Sequence, residues 1–202
     1  METRHDRRHV DAELRAAEVG DGVKRLRGYA ALFNTPTLIG DLFWEVIRPG
    51  AFDAVLATSP DVRCLWNHDD DTVLGRTVNG TLRLGVDDAG LWYETDLPAT
   101  VAASDAYILV QRGDVSQSSF TFSVEDDGER WGVLDGKRLR EIVSFDALLD
   151  VSPVIFPAYQ QTSVSARTIA SANAHEINTA GGSAGCGIQT AKRLQNLTEH
   201  TL

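Results

Sequence analysis

The sequence predicts a mainly β domain with a few helices. Short runs in which apolar and polar residues alternate recur between Val10 and Val154, and Gly, Asn and Asp turn residues separate them. One stretch, residues 100–112, combines the apolar spacing of a long helix with a capping residue at each end. With 202 residues, of which 43% are hydrophobic, the chain can bury one core of ordinary size.

The first elements form a predicted hairpin. Apolar residues alternate with polar ones over residues 10–16, and an apolar-rich run covers residues 23–33. Between them, Gly20-Asp21-Gly22 supplies the positive φ angles of a tight turn. A short amphipathic helix over residues 11–18 is the alternative that the same residues leave open.

The next segment leads to a histidine. Residues 42–47 are a predicted strand, a Pro-Gly corner ends it, and residues 51–56 are a predicted short helix. A further apolar run, residues 62–66, continues into a polar stretch that contains His68. We therefore expect His68 where a strand meets a loop.

The second half of the chain alternates between strands and one helix. Asn79-Gly80 predicts a type I′ turn between two strands, and a turn at residues 87–90 leads into a strand at 91–97. Thr100 is the predicted N-cap of the helix and Gly113 follows its end, so the helix leads directly into the next strand. The remaining predicted strands cover residues 115–124, 130–134, 138–143 and 145–154.

Composition suggests three segments. Residues 1–9 are expected to be a flexible N-terminus and residues 10–167 the folded domain. Beyond Arg167 the composition changes to Ala, Ser, Asn, Thr and Gly, so residues 168–202 are expected to be a flexible tail. A short helix could form there at residues 189–197.

Charge and cysteine content limit the classes of partner. The formal charge of −10 argues against a nucleic-acid surface and favours protein partners. No apolar run has membrane-spanning length and no signal peptide is evident, so we expect a cytoplasmic protein without membrane contact. Cys64 and Cys186 lie in dissimilar sequence, which disfavours a disulfide.

Serines and one histidine are the candidates for chemistry. Ser116, Ser118 and Ser119 are crowded at the start of a half-buried strand, where alternation puts Ser119 opposite the core-facing side chains and Ser118 among them. His68 could take a proton from a serine hydroxyl, although a histidine in a polar turn needs no function.

Other reactive groups have simpler interpretations. The acidic run at residues 69–71 has no further histidine at ligand spacing, so we expect a solvated turn rather than a metal site. Cys64 lies in an apolar run and is expected to be a core residue rather than a nucleophile. The glycines do not form a phosphate-binding loop. We therefore expect no cofactor and no metal.

Five stretches, taken together, resemble one family. They are Gly28-Tyr29-Ala30-Ala31-Leu32-Phe33, Arg48-Pro49-Gly50-Ala51-Phe52, Leu65-Trp66-Asn67-His68-Asp69, Ser119-Phe120-Thr121-Phe122 and Asp150-Val151-Ser152-Pro153-Val154-Ile155-Phe156-Pro157-Ala158-Tyr159. In this order, over about residues 10–167, the chain resembles the prohead maturation proteases of tailed phages of the HK97 type. Five ordered motifs are more specific than any single serine or histidine.

The resemblance implies a fold and a set of site residues. It implies a single closed or partly closed antiparallel β-barrel, similar to that of herpesvirus assemblins, with the long helix before the nucleophile strand. Carried over by motif, His68 is the general base, Ser119 the nucleophile and Asp150 the residue that orients the imidazole.

Three points stay open within this assignment. Ser118 and Ser116 compete with Ser119, and Asp146 competes with Asp150, while Asp69 is a weaker rival for the acidic role. Thr121 departs from the family pattern, in which a glycine or another small residue commonly stands beside the nucleophile.

The resemblance also implies a serine endopeptidase that acts in the host cytoplasm inside the immature capsid, or prohead. Its substrates would be segments of the major capsid protein or of a scaffold protein, and possibly the protease itself. No nucleic-acid or membrane partner is expected, and self-association stays open. The alternative is a non-catalytic scaffold or adaptor in the capsid interior on the same barrel.

Overall fold

The structure, a computed structural model, describes residues 5–156. These residues form thirteen β-strands and two α-helices. The strands are β1 (Asp6–Val10), β2 (Leu14–Val19), β3 (Val23–Leu32), β4 (Thr37–Ile39), β5 (Phe43–Ile47), β6 (Arg63–Trp66), β7 (Asp69–Arg76), β8 (Leu82–Val86), β9 (Gly90–Asp96), β10 (Gln117–Ser123), β11 (Glu129–Leu134), β12 (Lys137–Ile142) and β13 (Ala147–Val154). The helices are α1 (Asp53–Ala57) and α2 (Val101–Arg112).

The strands are arranged in three sheets. Sheet A has the order β1-β10-β13-β6-β7, sheet B the order β2-β3-β9-β8, and sheet C the order β11-β12-β5-β4. The predicted mainly β class with few helices is confirmed. The single antiparallel barrel is not confirmed, because the sheets of residues 5–156 do not close on themselves and β13–β6 and β12–β5 are parallel pairs. The chain changes sheet repeatedly, for example between β7 and β8, so no single ladder joins all the strands of the described part of the chain.

The two predicted hairpins have different outcomes. Strands β2 and β3 pair antiparallel across a 3₁₀ turn at Gly20–Gly22, so the hairpin is confirmed and the alternative helix is wrong. The predicted type I′ turn at Asn79-Gly80 is wrong, because Thr77–Asn79 is a 3₁₀ turn and only Gly80 takes a positive φ, 70°. The flanking strands β7 and β8 belong to different sheets and pair with β6 and β9.

The N-terminal segment differs from the expected flexible stretch at residues 1–9, because Asp6–Val10 forms β1 beside β10. A buried set of charges attaches this strand to sheet C. We call it the ionic cluster, and its members are Asp6, Arg8, Glu45, Glu129 and Arg140. Arg8 Nε and Arg140 Nη1 donate to the Glu45 carboxylate at 2.5 and 2.8 Å. Buried charges need such partners, so β1 is held in a defined register.

An aromatic cluster packs behind β10. It consists of Phe52, Phe120, Phe122 and Phe145, each at most 2% exposed. The ring centroids of Phe120 and Phe122 are 4.9 Å apart, and those of Phe52 and Phe145 are 4.3 Å apart. Burial of each ring stabilises the fold by about 1.5–3 kcal/mol. The core-facing side of β10 is therefore firmly anchored.

Helix α2 directs the chain into β10. The Thr100 hydroxyl accepts a hydrogen bond from the Ala103 amide at 3.2 Å, and Gly113 ends the helix with a φ of 81°. That left-handed conformation favours glycine, as the sequence predicts for this position. The Val115 amide then donates to the Leu109 carbonyl at 3.2 Å, so the chain turns at once toward β10.

The predictions for the C-terminal part lie outside the described residues. They concern the flexible tail at 168–202, its short helix at 189–197, and Cys186. The domain bounds of 10–167 likewise stay a prediction. Within residues 5–156, no helix has the length and apolar content needed to cross a membrane.

Candidate active site

The two faces of β10 carry different side chains, as the alternation predicts. Ser119 faces His68 on one side of sheet A. Ser118 lies on the other side, fully buried, with its hydroxyl 2.8 Å from the hydroxyl of Tyr93. Ser116 precedes the strand and is exposed. The serine that meets the histidine is therefore Ser119.

His68 lies in the two-residue turn between β6 and β7. Asn67 and His68 have φ angles of 56° and 58°, and two positive φ angles are what a type I′ turn requires. The Asn67 amide donates to the Pro153 carbonyl at 2.9 Å, and the Ile155 amide donates to the Asn67 side chain at 3.3 Å. The turn is thus fastened to the end of β13, which fixes the position of His68.

Asp150 lies on β13, the strand next to β10. In the ladder between these strands Asp150 is opposite Thr121, and Ser152 is opposite Ser119. Residues two apart on a strand share a face, so the four side chains form a square patch. Each of these residues is at most 6% exposed.

His68 connects the patch through two short contacts. Its Nδ1 is 2.6 Å from Asp150 Oδ1, and its Nε2 is 2.6 Å from Ser119 Oγ. Both distances are at the short end of the range for hydrogen bonds. The structure thus brings together the three residues that the resemblance indicates, and their catalytic role stays a prediction. We call His68, Ser119, Thr121, Asp150 and Ser152 the Asp150 network.

The Asp150 carboxyl group is held in its ionised form. Burial raises its pKa, but the hydrogen bond and charge of His68, with hydrogen bonds from Thr121 and Ser152, lower the pKa below its usual value. An ionised carboxylate can only accept hydrogen bonds, so His68 Nδ1 donates. This fixes the ring so that Nε2 faces Ser119.

The single hydroxyl proton of Ser119 has two possible acceptors. Ser119 Oγ lies 2.6 Å from His68 Nε2 and 2.8 Å from the backbone carbonyl oxygen of Arg8, on β1. A carbonyl can only accept, so when the hydroxyl proton points to Arg8 it is not directed at Nε2. Transfer of the serine proton to His68 therefore requires the contact with Arg8 to be given up.

The rival residues make other contacts. The Asp146 carboxylate accepts a hydrogen bond from Ser123 at 3.0 Å, and Asp69 accepts from Thr72 at 2.7 Å. Asp150 is thus the carboxylate that contacts the imidazole. The run at 69–71 begins strand β7, so the prediction of a turn there is wrong, although its side chains are exposed as expected.

Cys64 is confirmed as a buried core residue of β6. Burial, together with the nearby charge of Asp150, raises the pKa of its thiol, so it stays protonated at neutral pH. Within residues 5–156, no group of three or more His, Cys, Asp or Glu side chains is arranged to hold a metal ion.

Sequence reasoning missed several residues at the site. It did not consider His9, which is the neighbour of Ser119 on β1 and whose Nδ1 is buried with no hydrogen-bond partner in the described part of the chain. Burial and the charge of Arg8 lower the pKa of His9. Nor did it assign a role to Ser152, or a reason for Thr121. The Ser152 hydroxyl donates to Asp150 Oδ1 and Thr121 lies opposite Asp150, which only the pairing of β10 with β13 reveals.

Comparison with known proteins supplies a family for this arrangement. The model of the family described as caudovirus prohead serine protease matches residues 10–176, which include His68, Ser119 and Asp150. No curated protein and no solved structure matches the chain. The match covers most of the chain and agrees with the resemblance carried by its five motifs. This chain therefore belongs to the caudovirus prohead serine protease family.

Proposed function

We propose that this protein is a serine endopeptidase that cleaves segments of the capsid protein or of a scaffold protein inside the prohead. Membership of the family supplies the reaction class and implies capsid proteins as substrates and the capsid interior as the place of action. The observation that carries the mechanism is the unbroken row of contacts from Asp150 through His68 to Ser119, each 2.6 Å long.

The proposed reaction proceeds through an acyl-enzyme. Ser119 Oγ attacks the carbonyl carbon of the scissile peptide while its proton passes to His68 Nε2. The imidazolium is stabilised by Asp150 and then gives this proton to the leaving amine, which breaks the C–N bond and leaves an ester on Ser119. Water, deprotonated by His68, attacks the ester and releases the second product. The serine and the imidazole are thereby regenerated.

Two adjacent serines provide the test of this proposal. Ser119→Ala should reduce cleavage of a capsid-protein fragment, followed by mass spectrometry, on the order of 10⁴- to 10⁶-fold. Ser118→Ala is the matched control, since it removes the neighbouring hydroxyl on the other face of the strand. It should cleave at a rate close to that of the wild type, although it leaves the Tyr93 hydroxyl without its partner in the core.

A second measurement does not depend on knowing the substrate. A fluorophosphonate, which esterifies activated serines, should add one adduct mass to the wild type and to Ser118→Ala, and none to Ser119→Ala. Normal cleavage by Ser119→Ala, or labelling that persists in it, would remove Ser119 as the nucleophile. A chain that is neither labelled nor able to cleave any capsid partner would favour the non-catalytic scaffold.

A further inference from the structure

Three side chains act on the Asp150 carboxylate. His68 Nδ1 donates to Oδ1 at 2.6 Å, and the Ser152 hydroxyl donates to the same oxygen at 2.7 Å. Thr121 lies directly opposite Asp150 on the same face of the sheet, and its hydroxyl helps to lower the pKa of the carboxyl group. Two of the three groups are therefore hydroxyls that have no part in the proposed acyl transfer.

Strand pairing determines where these hydroxyls lie. Thr121 is directly opposite Asp150, and Ser152 is two residues beyond Asp150 on the same strand. The ladder register shifts directly after Thr121, so Thr121 is the last residue of β10 in regular pairing with this part of β13. With Thr121 6% exposed and Ser152 fully buried, water has little access to replace either hydroxyl.

Arg7 on β1 influences how the Thr121 hydroxyl is oriented. Arg7 Nε donates to Thr121 Oγ1 at 3.2 Å, and a guanidinium group can only donate. Because Thr121 Oγ1 accepts from Arg7, its own proton is available for Asp150. Arg7 and Thr121 are opposite each other in the ladder between β1 and β10, so backbone pairing maintains this contact.

Other groups near Asp150 do not replace these donors. Arg63 is its neighbour on β6, but the Arg63 guanidinium contacts Asp61 at 3.3 Å. Cys64, also on β6, is a buried neutral thiol. Apart from His68, the polar side chains among residues 5–156 that act on the carboxylate are Ser152, through its hydrogen bond, and Thr121, which lies opposite Asp150 in the ladder.

We propose that Thr121 and Ser152 are positioning residues that hold the Asp150 carboxylate in the orientation that directs His68 Nε2 at Ser119. This inference rests on the proposed function, because it concerns the same reaction. It also gives a reason for the departure of Thr121 from the family pattern. The threonine supplies to the carboxylate a hydroxyl that a glycine would lack.

The experiment compares variants that differ by one hydroxyl. Thr121→Val keeps the shape of the side chain and removes its hydroxyl, whereas Thr121→Ser keeps the hydroxyl and removes a methyl group. Loss of a hydrogen bond to a charged group corresponds to about a 10- to 100-fold decrease in kcat. We expect this decrease, with KM unchanged, in Thr121→Val and in Ser152→Ala, and rates near those of the wild type in Thr121→Ser.

A titration provides a readout that does not use activity. The ¹³C shift of the Asp150 carboxyl carbon is followed against pH in each purified variant. Loss of a donor destabilises the ionised form, so the midpoint should move to higher pH in Thr121→Val and Ser152→Ala and return toward the wild-type value in Thr121→Ser. A solely structural contribution of the methyl group would instead make Thr121→Ser the more affected variant.

The outcomes separate this inference from the proposed function. If Thr121→Val and Ser152→Ala titrate and cleave as the wild type does, or if Thr121→Ser behaves as Thr121→Val does, the positioning role is wrong. If Ser119→Ala still cleaves while the carboxyl titrations shift as described, the proposed mechanism fails and the hydrogen bonding to Asp150 stands. Should Thr121→Val not fold, Ser152→Ala decides the question by the same two measurements.

Discussion

Two buried polar clusters lie on either side of β1 and β10, and they are built from different chemistry. The ionic cluster consists of guanidinium and carboxylate groups only, whereas the Asp150 network has one carboxylate, one imidazole and three hydroxyls. Guanidinium groups keep their protons at any ordinary pH, so no proton moves within the ionic cluster. An imidazole and a hydroxyl can exchange a proton at neutral pH. We therefore expect the buried polar groups to serve stability in the ionic cluster and, under the proposed mechanism, proton transfer in the Asp150 network.

Strand β1 belongs to both clusters. The Arg8 side chain is a member of the ionic cluster, while its backbone carbonyl accepts from Ser119. The charges that fix β1 against sheet C thus also fix the carbonyl that competes with His68 for the serine proton. The ionic cluster thus helps to set the geometry around Ser119 in the Asp150 network.

The largest expected effect tests whether His68 is the base that accepts the proton of Ser119. His68→Asn should lower kcat/KM on the order of 10⁴-fold or more, because the base is lost. Asparagine is chosen because it tolerates the positive φ of this turn. His9→Asn is the matched control, and should stay within about tenfold of the wild type because, among residues 5–156, no acid hydrogen-bonds to His9 Nδ1 to orient the ring.

Cleavage of a capsid-protein fragment under initial-rate conditions measures both variants. Equal losses in His68→Asn and His9→Asn would mean that His9 on β1 is needed as much as His68. Proton transfer would then not be confined to the Asp150 network. A large loss in His9→Asn alone would make His9 the base.

The next effect concerns stability. Arg140→Met removes the charge that contacts Glu45, Glu129 and Asp6, and breaking a buried ion pair in this way costs about 3–5 kcal/mol. The unfolding free energy in urea at pH 7 measures the loss. Arg76→Met, which breaks the exposed pair with Asp61, is the control and should leave the midpoint almost unchanged, because solvent screens that pair. Equal midpoints for the two variants would mean that the ionic cluster contributes nothing to stability.

The smallest expected effect is a pH dependence of the free energy of unfolding, to which a carboxyl group in each cluster contributes in the same direction. Burial raises the pKa of Glu45, but the charges of Arg8 and Arg140 and their hydrogen bonds lower it below its usual value, and the pKa of Asp150 is also lowered. A carboxyl group with a lowered folded pKa stabilises the fold above its unfolded pKa, about 4, and this contribution is lost as the pH falls through the folded pKa.

The free energy of unfolding of the wild type should therefore be flat near neutral pH and decrease in acid. Urea denaturation at a series of pH values between 7 and 3 measures this curve. Glu45→Gln and Asp150→Asn should each be less stable at pH 7 and show a shallower decrease toward acid than the wild type. Curves that run parallel to that of the wild type would show that these carboxylates are not the source of the acid sensitivity.

The three catalytic candidates could be named from the sequence because each lies within a local motif that carries the family resemblance, and their roles stay a prediction. The motif around Ser119 alternates along one strand, and the alternation is a property of the backbone that distant residues do not change. The contacts among His68, Ser119 and Asp150 were not predictable in the same way, since the contacting residues are 51 and 82 positions apart. Only the order of strands in sheet A brings them together.

Strand β1 escaped sequence reasoning for a related reason. Its residues Asp6, Arg7 and Arg8 have neither alternating apolar character nor strong β preference. The burial of Arg8 and Asp6 depends on distant partners. Glu45 lies 37 positions from Arg8, and Arg140 lies 134 positions from Asp6. A charged strand is recognisable only when the partners of its charges are known.

The two Asn-containing turns also show that local sequence preference alone does not determine the structure. Asn79-Gly80 has the strongest local preference for a type I′ turn, yet its flanking strands pair with other partners, so the turn does not form there. Asn67-His68 has a weaker preference and takes two positive φ angles because β6 and β7 pair across it and Asn67 is tied to β13. Tertiary pairing decided both outcomes.

The left-handed backbone at His68 has an evolutionary consequence. A side chain held at a positive φ costs about 1–2 kcal/mol relative to glycine. The stability of the fold therefore favours glycine or asparagine at this position. Under the proposed mechanism, an imidazole persists there only while selection for cleavage outweighs that preference. Descendants of this chain that no longer need to cleave are therefore expected to lose His68 earlier than Asp150, whose extended strand conformation carries no such penalty.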